Sequence, residues 1–228
     1  MVRIRKAGST SVVRGLFGGI ENGSVLPSGP FPAEWRRIYS FAFIRNPFDR
    51  LVSAFLMFQG YAVANDAEKA FRAELTLERV MDVVEDPSIS PDGDNYFSRL
   101  KQHALPMTTP IFCLHDVNDI YRFEDFDAEY RRLARRLGVE CGEVPHLRKS
   151  QRQPYPAYFS NRDRHRAESL FHEDLREFGY AFGKSRRWRL RIPACLASPA
   201  AIPESTSAAH RLQFAAFVPS PPQSGGKG

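Results

Sequence analysis

An α/β fold built around a parallel sheet is what this sequence predicts, and three features of its first 183 residues predict it. Ile38-Tyr39-Ser40-Phe41-Ala42-Phe43-Ile44 is a nearly continuous apolar run, the pattern of a strand buried on both faces. Segments of helical periodicity alternate with short strand-like runs along the chain. Two strand-to-helix junctions carry basic and hydroxyl side chains in the turn, where open α/β sheets place their ligands.

The elements follow in order. Val2–Arg5 reads as a short first strand. Ser9–Ile20 carries Val12, Val13, Leu16, Phe17 and Ile20 at near-helical spacing. After the Ile38–Ile44 strand, Pro47 ends the extended run and Asp49 opens a helix to Ala64, with Leu51, Val52, Phe55, Leu56 and Phe58 as its apolar face. Thr76 can cap a helix through Val84, its hydroxyl satisfying a free backbone N–H. Ile111–Leu114 and Ile120–Phe123 read as short strands. Asp125–Leu137 is amphipathic, with Phe126, Tyr130, Leu133, Ala134 and Leu137 on one stripe and Gly138 as its stop. Arg162–Phe178 is the last helical stretch. The acidic stretches Asp66–Asp94 and Asp116–Glu129 read as exposed helix faces and turns.

Composition bounds the function. The chain has 228 residues, 43% of them apolar and 25% charged, enough to bury a core and unlike a disordered, collagen-like or coiled-coil sequence. No run reaches the ~18 apolar residues of a membrane span, and Met1–Lys6 lacks the apolar segment of a signal peptide. Cys113, Cys141 and Cys195 are too scattered for a disulfide framework or a zinc site. They predict a reducing, cytoplasmic compartment, with a membrane or Golgi location if an anchor precedes Met1. Met1 stands five residues before Lys6, so either the first strand is clipped or the natural chain begins upstream.

The net charge of +6 resides entirely in residues 184–228, which hold seven basic residues and one acid, while residues 1–183 are balanced. That segment opens with a basic run, Lys184 to Arg191, and continues rich in Ala, Ser and Pro, a composition that cannot bury enough apolar surface to fold. Two parts are therefore expected: a folded domain over 1–183 and a disordered tail over 184–228. With the basicity confined to the tail, no specific nucleic-acid partner is expected of the domain, and peripheral association is the only membrane contact the composition allows.

The chemistry concentrates at the two junctions. In Lys6-Ala7-Gly8-Ser9-Thr10-Ser11 a lysine and a glycine precede a hydroxyl-rich helix start. Gly8 lets backbone approach an oxyanion, the helix N terminus offers N–H donors, and Lys6 adds a charge. An ordinary capped helix would look much the same. The sequence is not G-x-x-x-x-G-K-S/T; the nearest approach, Gly179-Tyr180-Ala181-Phe182-Gly183-Lys184-Ser185, has its glycines one residue too close. In Ile44-Arg45-Asn46-Pro47-Phe48-Asp49-Arg50-Leu51-Val52-Ser53 the arginine ends a strand and the serine lies one turn beyond the helix start, so both can reach one anion. Alternatively Arg45 pairs with Asp49 and Ser53 merely packs.

Together these junctions resemble the donor-binding elements of sulfotransferases that use 3′-phosphoadenosine 5′-phosphosulfate (PAPS). Lys6–Ser11 resembles their 5′-phosphosulfate loop, and Phe43–Phe55 their 3′-phosphate motif, with Arg45 and Ser53 at the family spacing. Ile120–Phe126, Val144–Ser150 and His172–Tyr180 are also similar to the carbohydrate sulfotransferase branch, where they mark a late strand, a basic loop near the donor and a closing helix. The resemblance spans about residues 2–183. It implies a P-loop-like three-layer sandwich with a central parallel sheet flanked by helices, PAPS as donor without a metal, and a carbohydrate or other hydroxyl acceptor. It places Lys6, Ala7, Gly8, Ser9, Thr10, Ser11, Arg45, Ser53, Arg148 and Lys149 around the donor, with Arg152 beside that basic loop.

Transfer to a hydroxyl also needs a general base. Residues 12–44 contain no histidine, and their carboxylates are Glu21 and Glu34. Glu21 directly follows the first helix, and His103 lies in a region where the family contacts acceptor; these are the two candidates, with His115 and His146 behind them. Two rival classes remain: a relative that binds the adenosine bisphosphate without turnover, and a nucleotide kinase or NTPase of related topology, which would bind ATP with magnesium.

Overall fold

A computed structural model describes residues 1–18, 37–145 and 152–183. Its element order is α1 (Ser9–Phe17), β1 (Phe41–Ile44), α2 (Pro47–Gln59), α3 (Asp66–Ala73), α4 (Leu77–Glu85), α5 (Tyr96–Ala104), β2 (Asp119–Arg122), α6 (Phe126–Leu137), α7 (Asn161–Leu170) and α8 (His172–Phe178).

All four residues of β1 are buried, as an apolar run on both faces requires. It pairs in parallel with β2, in the register Phe41↔Asp119 through Ile44↔Arg122. On its other side Val2 forms a single parallel bridge to Ala42, its N–H donating to the Phe41 carbonyl at 2.7 Å. The expected first strand is thus one bridge long among the described residues, and the parallel sheet is small. Its upstream end is shorter than the apolar run suggested. Ile38 is 57% exposed, and at Ser40 the N–H is taken by the Asn118 side chain at 2.8 Å while the carbonyl still accepts from the Asn118 and Asp119 N–H groups.

Helix starts are set by side-chain caps. Asn46 accepts from the Phe48 N–H, with Pro47 at the first helical position, so α2 begins two residues before the Asp49 expected from sequence. Asn65, Thr76 and Asn95 cap α3, α4 and α5, and a Ser160–Asp163 capping box opens α7. Gly138 ends α6 in the left-handed conformation, as read from the sequence.

Two sequence expectations fail here. Ile111–Leu114 is not a strand but part of two 3₁₀ turns, Pro110–Phe112 and Leu114–Asp116. Pro110 lacks the N–H a ladder needs, and Cys113 adopts φ 52° between the turns. The expected helix over Arg162–Phe178 is two helices, α7 and α8, separated at Phe171, whose side chain is fully buried.

The core gathers Phe41, Phe43, Phe48, Phe58, Tyr121, Phe171 and Phe178. Two buried arginines tie helices into it by capping their C termini. Arg50 donates to the carbonyls of His103 and Leu105 at the end of α5, and Arg122 to that of Phe178 at the end of α8, groups with no intrahelical partner. The fully buried Asp174 of α8 accepts from the N–H groups of Met107 and Thr108 and from the Thr108 hydroxyl, each at 2.8 Å. Among the described residues no helix is long and apolar enough to cross a membrane.

Candidate functional site

The carboxyl ends of β1 and β2 bring the two basic junctions together. Because Ile44 and Arg122 are in register, the next residues of each strand, Arg45 and Phe123, come to lie side by side. The Arg45 guanidinium stacks over the Phe123 ring at 4.4 Å. The same ring closes over the first junction, since a Cβ on Gly8 would lie 2.8 Å from Phe123 and 3.0 Å from Phe126. Gly8 has φ 78° and opens α1 with no side-chain cap. Its carbonyl accepts from the Ser11 and Val12 N–H groups. The absence of a Cβ at residue 8 is therefore required twice, by conformation and by space.

Lys6 is left-handed as well, with φ 68°, a conformation that costs an L-residue about 1 kcal/mol. Arg45 Nη1 donates to the Lys6 carbonyl at 3.0 Å. The Lys6 ammonium reaches α2, where Nζ lies 3.4 Å from Met57 Sδ. Asp49, Ser53 and Met57 are spaced four apart on one face of α2. Asp49 meets Arg45 at one end of that face and Met57 meets Lys6 at the other, with the half-buried Ser53 between them.

Asp49 is the electrostatic centre. Its Oδ2 accepts from Arg45 Nε at 2.7 Å and Nη2 at 2.6 Å, and its Oδ1 accepts from Arg152 Nη2. Arg45, Arg152 and Lys6 stand against the carboxylates Asp49 and Glu124, an excess of one positive charge. Both arginine side chains are 11% exposed. Desolvation is the largest influence on the Arg45 guanidinium and lowers its pKa, with Asp49 acting in the opposite direction; an arginine so placed stays charged. Of its five N–H groups, the partners among the described residues use three, and one on each Nη is left for an incoming oxyanion. Among the described residues Arg152 Nη1 is buried without a hydrogen-bond partner, a costly state that an anion would relieve.

A second lock fixes the turn after β1. The Asn46 N–H donates to Glu124 Oε1 at 2.5 Å, and the Tyr180 hydroxyl to Glu124 Oε2 at 2.9 Å. Burial and Glu124 raise the Tyr180 pKa, so it keeps its proton.

The structure thus places Lys6, Ala7, Gly8, Ser9, Thr10, Ser11, Arg45 and Ser53 at one edge. Ala7, Ser9 and Ser11 are buried and Thr10 half-buried. Arg45 pairs with Asp49, the alternative left open by the sequence, and its Nη1 also meets the first junction at the Lys6 carbonyl. Glu21, His146, Arg148 and Lys149 lie outside the described residues, as does 184–228. His115 is remote in role, exposed and 3.5 Å from Glu177.

His103 sits in the last turn of α5, packed 5.2 Å from the Phe58 ring. Its Nδ1 is 2.7 Å from the Arg99 carbonyl; a carbonyl only accepts, so Nδ1 carries the proton and Nε2 the lone pair. Burial, with Arg5 and Lys6 nearby, lowers its pKa to about 3. Among the described residues no cluster of His, Cys, Asp or Glu is placed to hold a metal.

Sequence reasoning missed Phe123 as the shared platform, the bridging role of Asp49 and the Glu124 lock. The parallel register is the signal for two of these: once Ile44 faces Arg122, Arg45 follows beside Phe123 and Asn46 beside Glu124.

Residues 27–181 match the profile described as the sulfotransferase family. The matched stretch includes Arg45, Ser53, Asp49 and Arg152 and begins after Lys6–Ser11. No curated protein and no solved structure gives a match.

Proposed function

The chain belongs to the sulfotransferase family, and from that premise we propose that it transfers a sulfuryl group from PAPS to a hydroxyl, that of a carbohydrate, on a P-loop-like three-layer α/β sandwich. The observation that carries the donor reading is the convergence of Lys6, Gly8, Arg45 and Ser53 at one edge, joined by the bond from Arg45 to the Lys6 carbonyl.

In this reading the N–H groups after Gly8, the Ser9, Thr10 and Ser11 hydroxyls and the Lys6 ammonium face the 5′-phosphosulfate. Negative charge grows on the leaving phosphate as the sulfuryl group departs, and preset donors and a cation stabilise it as in phosphoryl transfer. Arg45 offers its remaining Nη donors to the 3′-phosphate in the paired geometry a lysine cannot match. Ser53 adds a neutral donor, and Arg148 and Lys149 belong to the same binding set. The acceptor's proton goes to Glu21 or His103. His103 is neutral at physiological pH and presents a lone pair, but a pKa of about 3 makes it a weak base.

That mismatch is the one observation favouring the second reading, a relative that binds adenosine bisphosphate without turnover. Titration calorimetry with adenosine 3′,5′-bisphosphate tests the donor site. Binding of the bisphosphate, absence of heat with ATP–magnesium, and a loss of about 100-fold in Arg45→Ala are expected, since bonds to charged groups contribute about 1.5–3 kcal/mol. A folded protein that prefers ATP–magnesium would replace the proposal with a nucleotide kinase or NTPase. Product formation from PAPS and a carbohydrate then separates enzyme from binder.

A further inference from the structure

Lys6 holds a backbone conformation that a lysine does not favour, at φ 68°. The group on its carbonyl is not a neighbour in sequence but Arg45, 39 residues away, at 3.0 Å. Arg45 is itself fixed on three sides: Asp49 holds Nε and Nη2, the Lys6 carbonyl holds Nη1, and the Phe123 ring lies under the guanidinium plane at 4.4 Å. That ring also fills the space beside Gly8. The loop proposed for the 5′ end of the donor is therefore built against the side chain proposed for its 3′ end.

We propose that Arg45 is a positioning residue for the Lys6–Ser11 loop as well as a phosphate ligand, so that recognition of the donor's two ends is coupled through the Arg45–Lys6 carbonyl bond. The inference rests on the donor-site reading above. Its physical content is that the left-handed backbone at Lys6 is maintained by Arg45. Without the guanidinium, Lys6 relaxes toward negative φ, and the N–H groups after Gly8 lose their common aim. A ligand that lacks a 3′-phosphate altogether should then still sense Arg45.

Adenosine 5′-monophosphate is such a ligand, and a double-mutant cycle read by calorimetry of the full chain tests the coupling. Arg45→Ala should weaken 5′-monophosphate binding about tenfold where Lys6 is retained. In the Lys6→Gly background the same change should cost less than about twofold, because glycine adopts positive φ without help. The loss of the Lys6 ammonium is common to both arms of that background and cancels. Arg45→Lys, which keeps the charge but cannot span Asp49 and the Lys6 carbonyl together, should behave like Arg45→Ala and guards against a folding defect; circular dichroism checks each variant.

Unchanged 5′-monophosphate affinity in Arg45→Ala, with bisphosphate binding lost, would overturn the coupling and leave the donor site standing. Equal losses in both backgrounds, or a wild-type protein that takes the bisphosphate but no 5′-monophosphate at millimolar concentration, would overturn it too. A folded wild-type protein that binds neither nucleotide would remove the donor-site reading itself, and the coupling with it.

Discussion

Arg45 and Arg50 are five residues apart, on either side of the start of one helix, and they live in different electrostatic settings. Arg50 is wholly enclosed, and its bonds go to two backbone carbonyls that end α5. Burial lowers its pKa to about 10, with Asp174 acting against that shift. Arg45 keeps a little exposure and shares its carboxylate, Asp49, with a second arginine. Backbone carbonyls cannot leave a helix end without unfolding it. A shared side-chain carboxylate can yield to a better anion. The partner, not the residue type, separates a structural arginine from one able to meet a ligand.

Removing each arginine's acidic neighbour tests that distinction most severely. Asp174→Ala strips the countercharge from the buried Arg50 and leaves the donors of Met107 and Thr108 unmet. It should cost about 3–5 kcal/mol in urea unfolding. Asp49→Ala sits at a more open place, its side chain 22% exposed, and should cost about 1 kcal/mol. Adenosine bisphosphate should then recover that loss by supplying the missing anion. Equal costs for the two would break the comparison.

For His103 pH separates a structural imidazole from an accessible base. Its pKa is about 3 in the folded protein against 6.5 for a free imidazole. Below pH 6.5 the unfolded chain takes up a proton that the folded chain refuses. The contribution is therefore complete above pH 6.5 and fades as pH falls toward 3, by about 2 kcal/mol between pH 6.5 and 5. Carboxylates titrate nearby, so the measurement is the difference between wild type and His103→Gln: the variant's unfolding free energy should fall by about 2 kcal/mol less over that interval. Parallel curves would mean that His103 titrates freely, as an accessible base would.

What the sequence revealed follows the range of the forces involved. The buried strand, α2, α4 and α6 announced themselves through apolar spacing, and Thr76 and Gly138 marked where two of them start or stop. Ile111–Leu114 has the same apolar character as a strand, but Pro110 and the left-handed Cys113 turn it into 3₁₀ structure. Helices α3 and α5 showed no apolar stripe strong enough to read, and their caps Asn65 and Asn95 were not recognised from the sequence. At the site, residue types and spacing pointed to Lys6, Gly8, Arg45 and Ser53. The bond from Arg45 to a carbonyl 39 residues away was not legible, because it exists only once the strands are in register.

Ser53 offers the smallest effect and the finest discrimination. Its hydroxyl lies half-buried between the two ends of the α2 face, and as a single neutral donor to a phosphate it is worth about 1 kcal/mol. Ser53→Ala should weaken adenosine 3′,5′-bisphosphate binding about fivefold while leaving 5′-monophosphate binding unchanged, because Ser53 serves the 3′ end alone. Alanine is the better helix former, so the variant should unfold at the same or a slightly higher urea concentration. Opposite signs on binding and stability are what a ligand-facing residue gives and a packing residue does not. If bisphosphate and monophosphate affinities fell together, Ser53 would act through α2 and the loop it supports, and the 3′-phosphate would rest on arginine alone.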